Sequence, residues 1–166
     1  LDTRKEEDDS IVHVVDRLPA DLEADVVAQV DVTRRTATRR AHSATHLLHA
    51  GLRKYLGTHV TQAGSLVAPD RVRFDVTHYE GISDSVIADV EAFVNEHVLA
   101  GEDGETNLMG LEEARERGAM ALFGEKYGDR VRTVVMGDTS MELCGGTHVA
   151  NTAAIGPFKV LREASI

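Results

Sequence analysis

The chain has 166 residues, 42% hydrophobic and only 4% aromatic, which suffices for one domain with an aliphatic core, or one domain with a small appendage. Its 28 acidic residues outnumber the 18 basic ones, so the overall charge argues against nucleic acid as a partner. A single cysteine excludes an internal disulfide, and the sequence has neither a long apolar run nor a signal-like start, which predicts no membrane contact and a cytoplasmic location.

The first part of the chain predicts a β-rich N-terminal piece over residues 1–33. Because Leu1 is not an initiator methionine, we expect the chain to be excised from something longer, with the charged stretch 2–9 as a frayed linker. Residues 11–15 form an apolar run typical of a strand. Residues 22–32 alternate between apolar and polar side chains, which predicts a half-buried strand.

A helix and a hairpin are predicted next. Thr36 or Thr38 can cap the helix, and the apolar residues that follow keep a helical spacing until Gly57 ends it. Residues 60–67 and 72–76 then predict the two strands of an antiparallel hairpin.

The rest of the chain predicts a second helix and several short elements. The second helix starts near Ser83 and ends at Gly101. The glycine-broken stretch 119–128 predicts no element. Further expected elements are a strand at 106–109, a short helix at 111–117, and strands at 131–136, around Cys144 and at 158–161. Together these elements predict an α+β fold, with helices packed on a mostly antiparallel sheet.

One window departs from the acidic composition. From Val32 through Pro69 there is no Asp or Glu, although basic residues are frequent. Such a window can hold RNA phosphates locally while the rest of the surface stays acidic, or it can simply balance acidic neighbours. The residues predicted to bind RNA are Arg34, Arg35, Arg39, Arg40, Arg53 and Lys54.

The only cysteine lies four residues before a histidine, with a pair of glycines between them. The glycines let the backbone turn sharply, so Cys144 and His148 can converge on one point without a helix. A thiolate and an imidazole are good zinc ligands.

Two further histidines lie far upstream in the predicted first helix. His42 and His46 are one helical turn apart, so their rings leave the same face. Such a pair alone is a weak signal, but with Cys144 and His148 it predicts a four-ligand zinc site that is also the catalytic centre. His49 shares the helix stripe and is the obvious substitute ligand. A closed zinc that only pins the loop to the helix remains an alternative.

The helix does not carry the zinc protease pattern. That motif needs a glutamate directly after the first histidine, and Ser43 stands there instead. Peptide hydrolysis with a base on this helix is therefore not expected.

Several segments resemble the editing domain of bacterial alanyl-tRNA synthetase, in the order in which that family carries them. They are HSATHLLH at 42–49, QAGSLV at 62–67, RFD at 73–75, ALFGEKYGD at 121–129 and ELCGGTHV at 142–149. The histidine pair alone also suits the related threonyl-tRNA synthetase editing domain, whereas the LCGGTH form favours the alanyl branch. The resemblance covers residues 34–166, and residues 1–33 resemble the β-rich region that precedes editing.

The resemblance implies hydrolysis of the ester that joins serine or glycine to the alanine tRNA. It implies zinc on His42, His46, Cys144 and His148, and it places the family's polar pocket residue on Gln62, with Thr61 and Ser65 as further candidates. The aminoacylation domain has no counterpart in the sequence, so the partners implied are mischarged tRNA and the rest of a synthetase, with the fragment itself a monomer. A zinc-pinned RNA-binding module without turnover and a freestanding trans-editing protein remain the alternatives.

Overall fold

The computed structural model describes residues 2–6, 8, 10–121 and 127–164. It divides the chain into two compact units, Leu1–Val30 and Asp31–Ile166. Residues 122–126, which belong to the ALFGEKYGD motif, lie outside the described residues. Within the described part, no helix has both the length and the apolar character needed to cross a bilayer.

The first unit contains one short hairpin. Strand β1 (Asp2–Lys5) pairs antiparallel with β2 (Ile11–Val14), so the expectation of a frayed linker at 2–9 is wrong for β1. The predicted strand at 22–32 is also wrong, because no strand is described there and Leu22 and Val26 are exposed. Alternation marks a strand only where a neighbouring strand and a covering layer exist, and this stretch has neither among the described residues.

The second unit begins with the long helix α1 (Val32–Leu56). Its N-cap is Asp31, whose carboxylate accepts a hydrogen bond from the backbone N–H of Arg34 at 2.9 Å, so the prediction of a threonine cap is wrong. The Thr38 hydroxyl instead donates to the Arg34 carbonyl inside the helix at 2.9 Å. The predicted end is confirmed at Gly57, which has a positive φ of 116°.

The hairpin and the second helix follow as predicted. Strands β3 (Gln62–Val67) and β4 (Val72–Val76) pair antiparallel, with an irregularity between Gln62 and Gly64. Helix α2 (Asp84–Ala100) is capped by the Ser83 hydroxyl and ends at Gly101, which adopts a left-handed conformation.

A three-stranded antiparallel sheet completes the unit. Its order is β5 (Gly104–Gly110), β6 (Arg130–Met136) and β7 (Ser140–Leu143), with helix α3 (Leu111–Glu116) after β5 and a 3₁₀ helix at Thr152–Ile155. The predicted strand around Cys144 ends at Leu143. The α+β prediction, with helices on antiparallel sheets, is confirmed.

The predicted strand at 158–161 is wrong for a specific reason. Its backbone is bound by side chains of α2 rather than by a neighbouring strand. The Asn95 amide donates to the Phe158 carbonyl and accepts from the Phe158 N–H, both at 2.9 Å. The Val160 N–H donates to the Glu91 carboxylate at 2.6 Å. These contacts replace the ladder that a strand would need.

Helix α1 packs between the hairpin and the three-stranded sheet. Leu47, Val94 and Val134 are fully buried together, which joins α1, α2 and β6. Leu52 packs with Val60 at the base of the hairpin. Helix α1 therefore presents one stripe of side chains toward β7 and the turn that follows it.

Candidate metal centre

Four donor side chains from distant parts of the chain meet beside α1. His42 and His46 come from α1, whereas Cys144 and His148 come from the turn after β7. One ligand atom from each lies within 4.8 Å of the other three. Among the described residues, these four form the group whose geometry could hold a metal ion. The structure thus brings together the four residues predicted as zinc ligands.

The turn after β7 is held in place by a strand of the sheet. The Arg132 guanidinium donates to the carbonyls of Cys144 and Gly146, both at 2.7 Å. The Cys144 N–H donates in return to the Arg132 carbonyl at 3.0 Å. Gly146 is required there because a Cβ would overlap the His42 ring. Gly146 therefore serves close approach to the helix, whereas a Cβ at Gly145 would meet nothing within 4 Å. Neither glycine has a positive φ, so this reason differs from the sharp turn that the sequence analysis expected of the pair.

Glu142 binds the outer nitrogens of two histidines. The Nδ1 of His46 donates to its carboxylate at 2.7 Å, and the Nδ1 of His49 donates at 3.0 Å. This leaves the Nε2 of His46 buried and without a hydrogen-bond partner. His49 lies outside the group of four, with its ring tilted against Phe74 at 5.4 Å. A buried imidazole nitrogen without a partner beside a thiol is what a metal would satisfy.

Ser43 orients the fourth donor, His148, as Glu142 orients His46. Its side chain is fully buried, its hydroxyl lies 3.4 Å from the Nδ1 of His148, and it accepts from the Val149 N–H at 3.0 Å. The Nε2 of His148 then faces the Cys144 sulfur at 3.3 Å. Arg39 fixes the same residue by donating to the His148 carbonyl at 2.8 Å.

The buried charges of the site support one another. Burial acts to raise the pKa of Cys144, but the neighbouring imidazoles of His148, His42 and His46 lower it to about 3. Burial acts to lower the pKa of His46, but Cys144 and Glu142 raise it to about 9. Burial likewise lowers the pKa of His148. The site therefore holds a thiolate in the metal-free chain, and that is the form of cysteine that binds metals.

Two of the donor separations match those expected around zinc. The Cys144 sulfur lies 3.5 Å from the Nε2 of His42 and 3.3 Å from that of His148. Tetrahedral zinc with bonds of about 2.3 Å to sulfur and about 2.0 Å to nitrogen implies a sulfur–nitrogen separation of about 3.5 Å. One thiolate and three imidazoles are also donors that zinc prefers.

A cavity of about 260 Å³ opens beside three of the four donors, His42, His46 and Cys144. Its polar lining includes Gln62 and Ser65 of β3 and Thr45 of α1, together with His42, His46, Glu142 and Cys144. The Gln62 amide reaches the Ser65 hydroxyl only at 3.5 Å. Thr61 is not among the lining residues, and its hydroxyl lies 2.8 Å from that of Thr77. Two of the three predicted pocket residues thus face the cavity.

The predicted RNA-binding residues all lie on α1. Arg34, Arg35, Arg40 and Lys54 are exposed. Several also bind other parts of the chain: besides the Arg39 contact, Arg40 donates to the Ile155 carbonyl at 2.8 Å, Arg53 to the Thr58 and Val60 carbonyls, and the Lys54 ammonium lies 4.5 Å from the Phe93 ring centre. RNA binding by these residues remains a prediction.

Sequence reasoning missed the residues that orient the ligands. Glu142, Ser43 and Arg132 were not assigned roles in orienting the ligands, although Ser43 and Glu142 stand inside the resembling motifs. One of these roles could have been found from the sequence. Glu142 precedes Cys144 by two residues, so in an extended segment both side chains lie on the same side. The other contacts join residues about a hundred positions apart, such as Ser43 and His148.

Comparison with known proteins gives a consistent family. Residues 131–166 match the family described as "Threonyl and Alanyl tRNA synthetase second additional domain". The alanine–tRNA ligase of Clostridioides difficile is 55% identical over 137 residues, which cover 82% of this chain and 16% of that protein. The corresponding values are 57% over 141 residues, 85% and 16%, for Pelotomaculum thermopropionicum, and 52% over 168 residues, 100% and 19%, for Parafrankia sp.. The chain spans less than a fifth of the length of these relatives.

Proposed function

We propose that the chain, a homologue of one segment of the alanine–tRNA ligases, is an editing region that hydrolyses the ester of tRNA mischarged with serine or glycine. The observation that carries the proposal is the convergence of His42, His46, Cys144 and His148, the first three of which line a cavity with polar side chains. A metal-binding group with room for an amino acid beside it suits hydrolysis better than a purely structural site.

In the proposed reaction, water attacks the carbonyl carbon of the aminoacyl ester, and the bond to the ribose oxygen breaks. Zinc, when bound by the four donors, would supply Lewis acidity for this step. Glu142 and Ser43 hold the rings of His46 and His148, so that their Nε2 atoms face the site. The turn held by Arg132 keeps the Cys144 thiolate beside them.

To hydrolyse the serine ester and spare the alanine ester, the site has to bind the hydroxyl group of serine. Serine is larger than alanine by one oxygen, so a cavity that only excluded bulk would admit the correct product first. A polar group that pairs with the substrate hydroxyl is left unsatisfied by the analogue that lacks it. We assign this role to Gln62, whose amide both donates and accepts and which has only a 3.5 Å contact with Ser65.

Single-turnover hydrolysis of seryl-, glycyl- and alanyl-tRNA by the zinc-loaded chain tests the proposal. We expect seryl- and glycyl-tRNA to be hydrolysed and alanyl-tRNA to be spared. Absence of hydrolysis of all three esters, or fastest loss of alanyl-tRNA, would refute it. Chelation followed by addition of zinc should abolish and restore the reaction.

A zinc-pinned RNA-binding module is the second candidate, and one observation favours it. Four protein donors fill a tetrahedral zinc ion, whereas catalytic sites usually keep a position open. In that case the chain would bind tRNA and retain zinc but leave the ester intact. Turnover in the assay above separates the two functions.

The proposal extends to the setting of the chain. Mischarged alanine tRNA and the remainder of an alanine–tRNA ligase are its proposed partners, a monomer is the proposed state, and the cytoplasm is the proposed location. A freestanding editing protein of the same lineage is less well supported, because the relatives are more than five times longer than the matched segment.

A further inference from the structure

Three aromatic rings form a stacked surface at the open end of the β3–β4 pair, outside the metal group and the cavity. His59 lies between α1 and β3, whereas His78 and Tyr79 follow β4. The His59 and Tyr79 ring centres are 5.0 Å apart with planes at 26°, and those of His59 and His78 are 5.1 Å apart at 23°. The His78 and Tyr79 centres are 4.6 Å apart. We call His59, His78 and Tyr79 the aromatic platform.

The platform is held in place by hydrogen bonds. The Nε2 of His59 and the Nδ1 of His78 are 2.9 Å apart. The backbone N–H of Thr77 donates to the Thr61 carbonyl at 2.9 Å, and the Thr61 N–H donates to the Thr77 hydroxyl at 3.1 Å. The two segments that carry the rings are thus joined, so a ligand would not have to order them.

The platform keeps an open face. Tyr79 is 78% exposed and His59 is exposed, and none of the three rings belongs to a buried cluster. His78 is half-buried, and its plane is tilted by 35° from that of Tyr79. The exposed rings of His59 and Tyr79 offer an aromatic surface to a further ring.

Positive charge lies on one side of the platform. The Arg53 guanidinium donates to the carbonyls of Thr58 at 2.6 Å and Val60 at 2.7 Å, which are the residues on either side of His59. Glu80 follows Tyr79, so the cationic character is confined to the His59 side. An aromatic surface with one cation beside it suits a single unpaired nucleotide, whose base stacks and whose phosphate is anionic.

The position of the platform relative to the cavity points to one part of the RNA. Gln62 lines the cavity and pairs with Val76, and Thr61 and Thr77 form the next pair along the hairpin. His59 lies three residues before Gln62, so its Cα is at most about 11 Å from that of Gln62. The nucleotides nearest the ester are therefore within its reach.

We propose that the aromatic platform stacks an unpaired base at the 3′ end of the RNA whose aminoacyl ester enters the cavity. This inference rests on the proposed function, since it concerns the substrate of the same site. It adds a base-binding surface on the hairpin that is separate from the residues at the metal.

The test uses the 166-residue chain and a short uncharged RNA hairpin with a single-stranded 3′ end. Each unpaired base is replaced in turn by 2-aminopurine, whose fluorescence is quenched by stacking. We expect quenching at one position, and Tyr79→Leu should weaken binding about fivefold or more and remove the quenching. Tyr79→Phe, which keeps the ring, should retain both. Leu99→Ala, at an exposed leucine of α2, is the control away from the platform and should bind like the original chain.

Two further arms separate the outcomes. Removing the quenched base from the RNA should weaken binding to the original chain but not further weaken binding to Tyr79→Leu. Unchanged affinity and quenching in Tyr79→Leu would overturn the proposal that the platform binds a base, even if the chain hydrolyses seryl-tRNA. Tyr79-dependent quenching without any hydrolysis would support the platform and refute the proposed function instead. Equal thermal midpoints of Tyr79→Leu and Tyr79→Phe exclude misfolding as the cause of a loss.

Discussion

The metal side and the hairpin side of the cavity differ in how firmly their polar side chains are held. On the metal side, His46 is bound by Glu142 at 2.7 Å, and Arg132 binds the Cys144 carbonyl at 2.7 Å. On the hairpin side, the Gln62 amide has only a 3.5 Å contact with an exposed serine. Geometry is fixed where donors must converge and is left adjustable where a substrate must enter. Substitutions should therefore cost stability and metal affinity on one side, and substrate choice on the other.

Glu142→Ala should have the largest effect, because His46 and His49 both lose a buried acceptor. Breaking a buried charge pair costs about 3–5 kcal/mol, and losing the partner of a ligating imidazole lowers metal affinity about 10–100-fold. Denaturation and competition with a zinc chelator measure the two effects. Glu113→Ala removes an exposed pair with Arg117 and should cost at most about 1 kcal/mol. A loss in Glu142→Ala no larger than this control would show that the metal side is not held as described.

Gln62→Leu should affect the opposite side alone. Loss of the amide that pairs with the substrate hydroxyl should slow seryl-tRNA hydrolysis at least about tenfold, with less effect on glycyl-tRNA and unchanged zinc content. Single-turnover rates on both substrates measure this difference. The control is Gln29→Leu, at an exposed glutamine of the first unit. Equal losses on serine and glycine would show that Gln62 supports the site without recognising the hydroxyl.

The pH dependence of stability should reveal the Glu142–His46 pair in the metal-free chain. The pKa of Glu142 is raised by burial but lowered by His46 and His49 to about 2, so its contribution is present above about 4.5 and is lost as pH falls through 2. The pKa of His46 is raised to about 9, so its contribution is present below 6.5 and is lost as pH rises through 9. The stability difference between the original chain and Glu142→Gln should therefore be largest between pH 4.5 and 6.5.

Thermal or urea unfolding with a chelator present measures this difference. With zinc bound, the stability contributed by His46 should no longer fall at high pH, because a histidine that binds a metal is already neutral. A difference that does not change with pH would mean that Glu142 is not charged in the folded chain.

The smallest expected effect concerns RNA and distinguishes two arginines of α1. Arg35 is exposed, so Arg35→Ala should reduce the salt dependence of tRNA binding by about one unit of slope per lost phosphate contact and leave zinc bound. Arg39→Ala should also weaken zinc binding, because Arg39 donates to the His148 carbonyl. Salt titrations of tRNA binding and competition for zinc with a chelator compare the two variants. An unchanged slope in Arg35→Ala would assign the acid-free window to charge balance alone.

The sequence was informative where a residue type has few uses, and uninformative where partners are distant. Cys144 and the histidines were identified because the chain has one cysteine and zinc favours these donors. Glu142 was missed because its role depends on His46 and His49, more than ninety positions away. Residues 22–32 were misread because alternation does not reveal whether a partner strand exists. The start of α1 was misplaced because its first turns are polar and lack the apolar period that marks a helix.

The most direct test titrates zinc into the metal-free chain while the rate of seryl-tRNA hydrolysis is measured at each point. A metal centre built from His42, His46, Cys144 and His148 predicts that the rate rises with zinc up to about one ion per chain, and that Cys144→Ala gives neither tight binding nor the rise. Hydrolysis that persists in the metal-free chain, or that is the same in Cys144→Ala, would contradict the assignment of these four residues to the reaction.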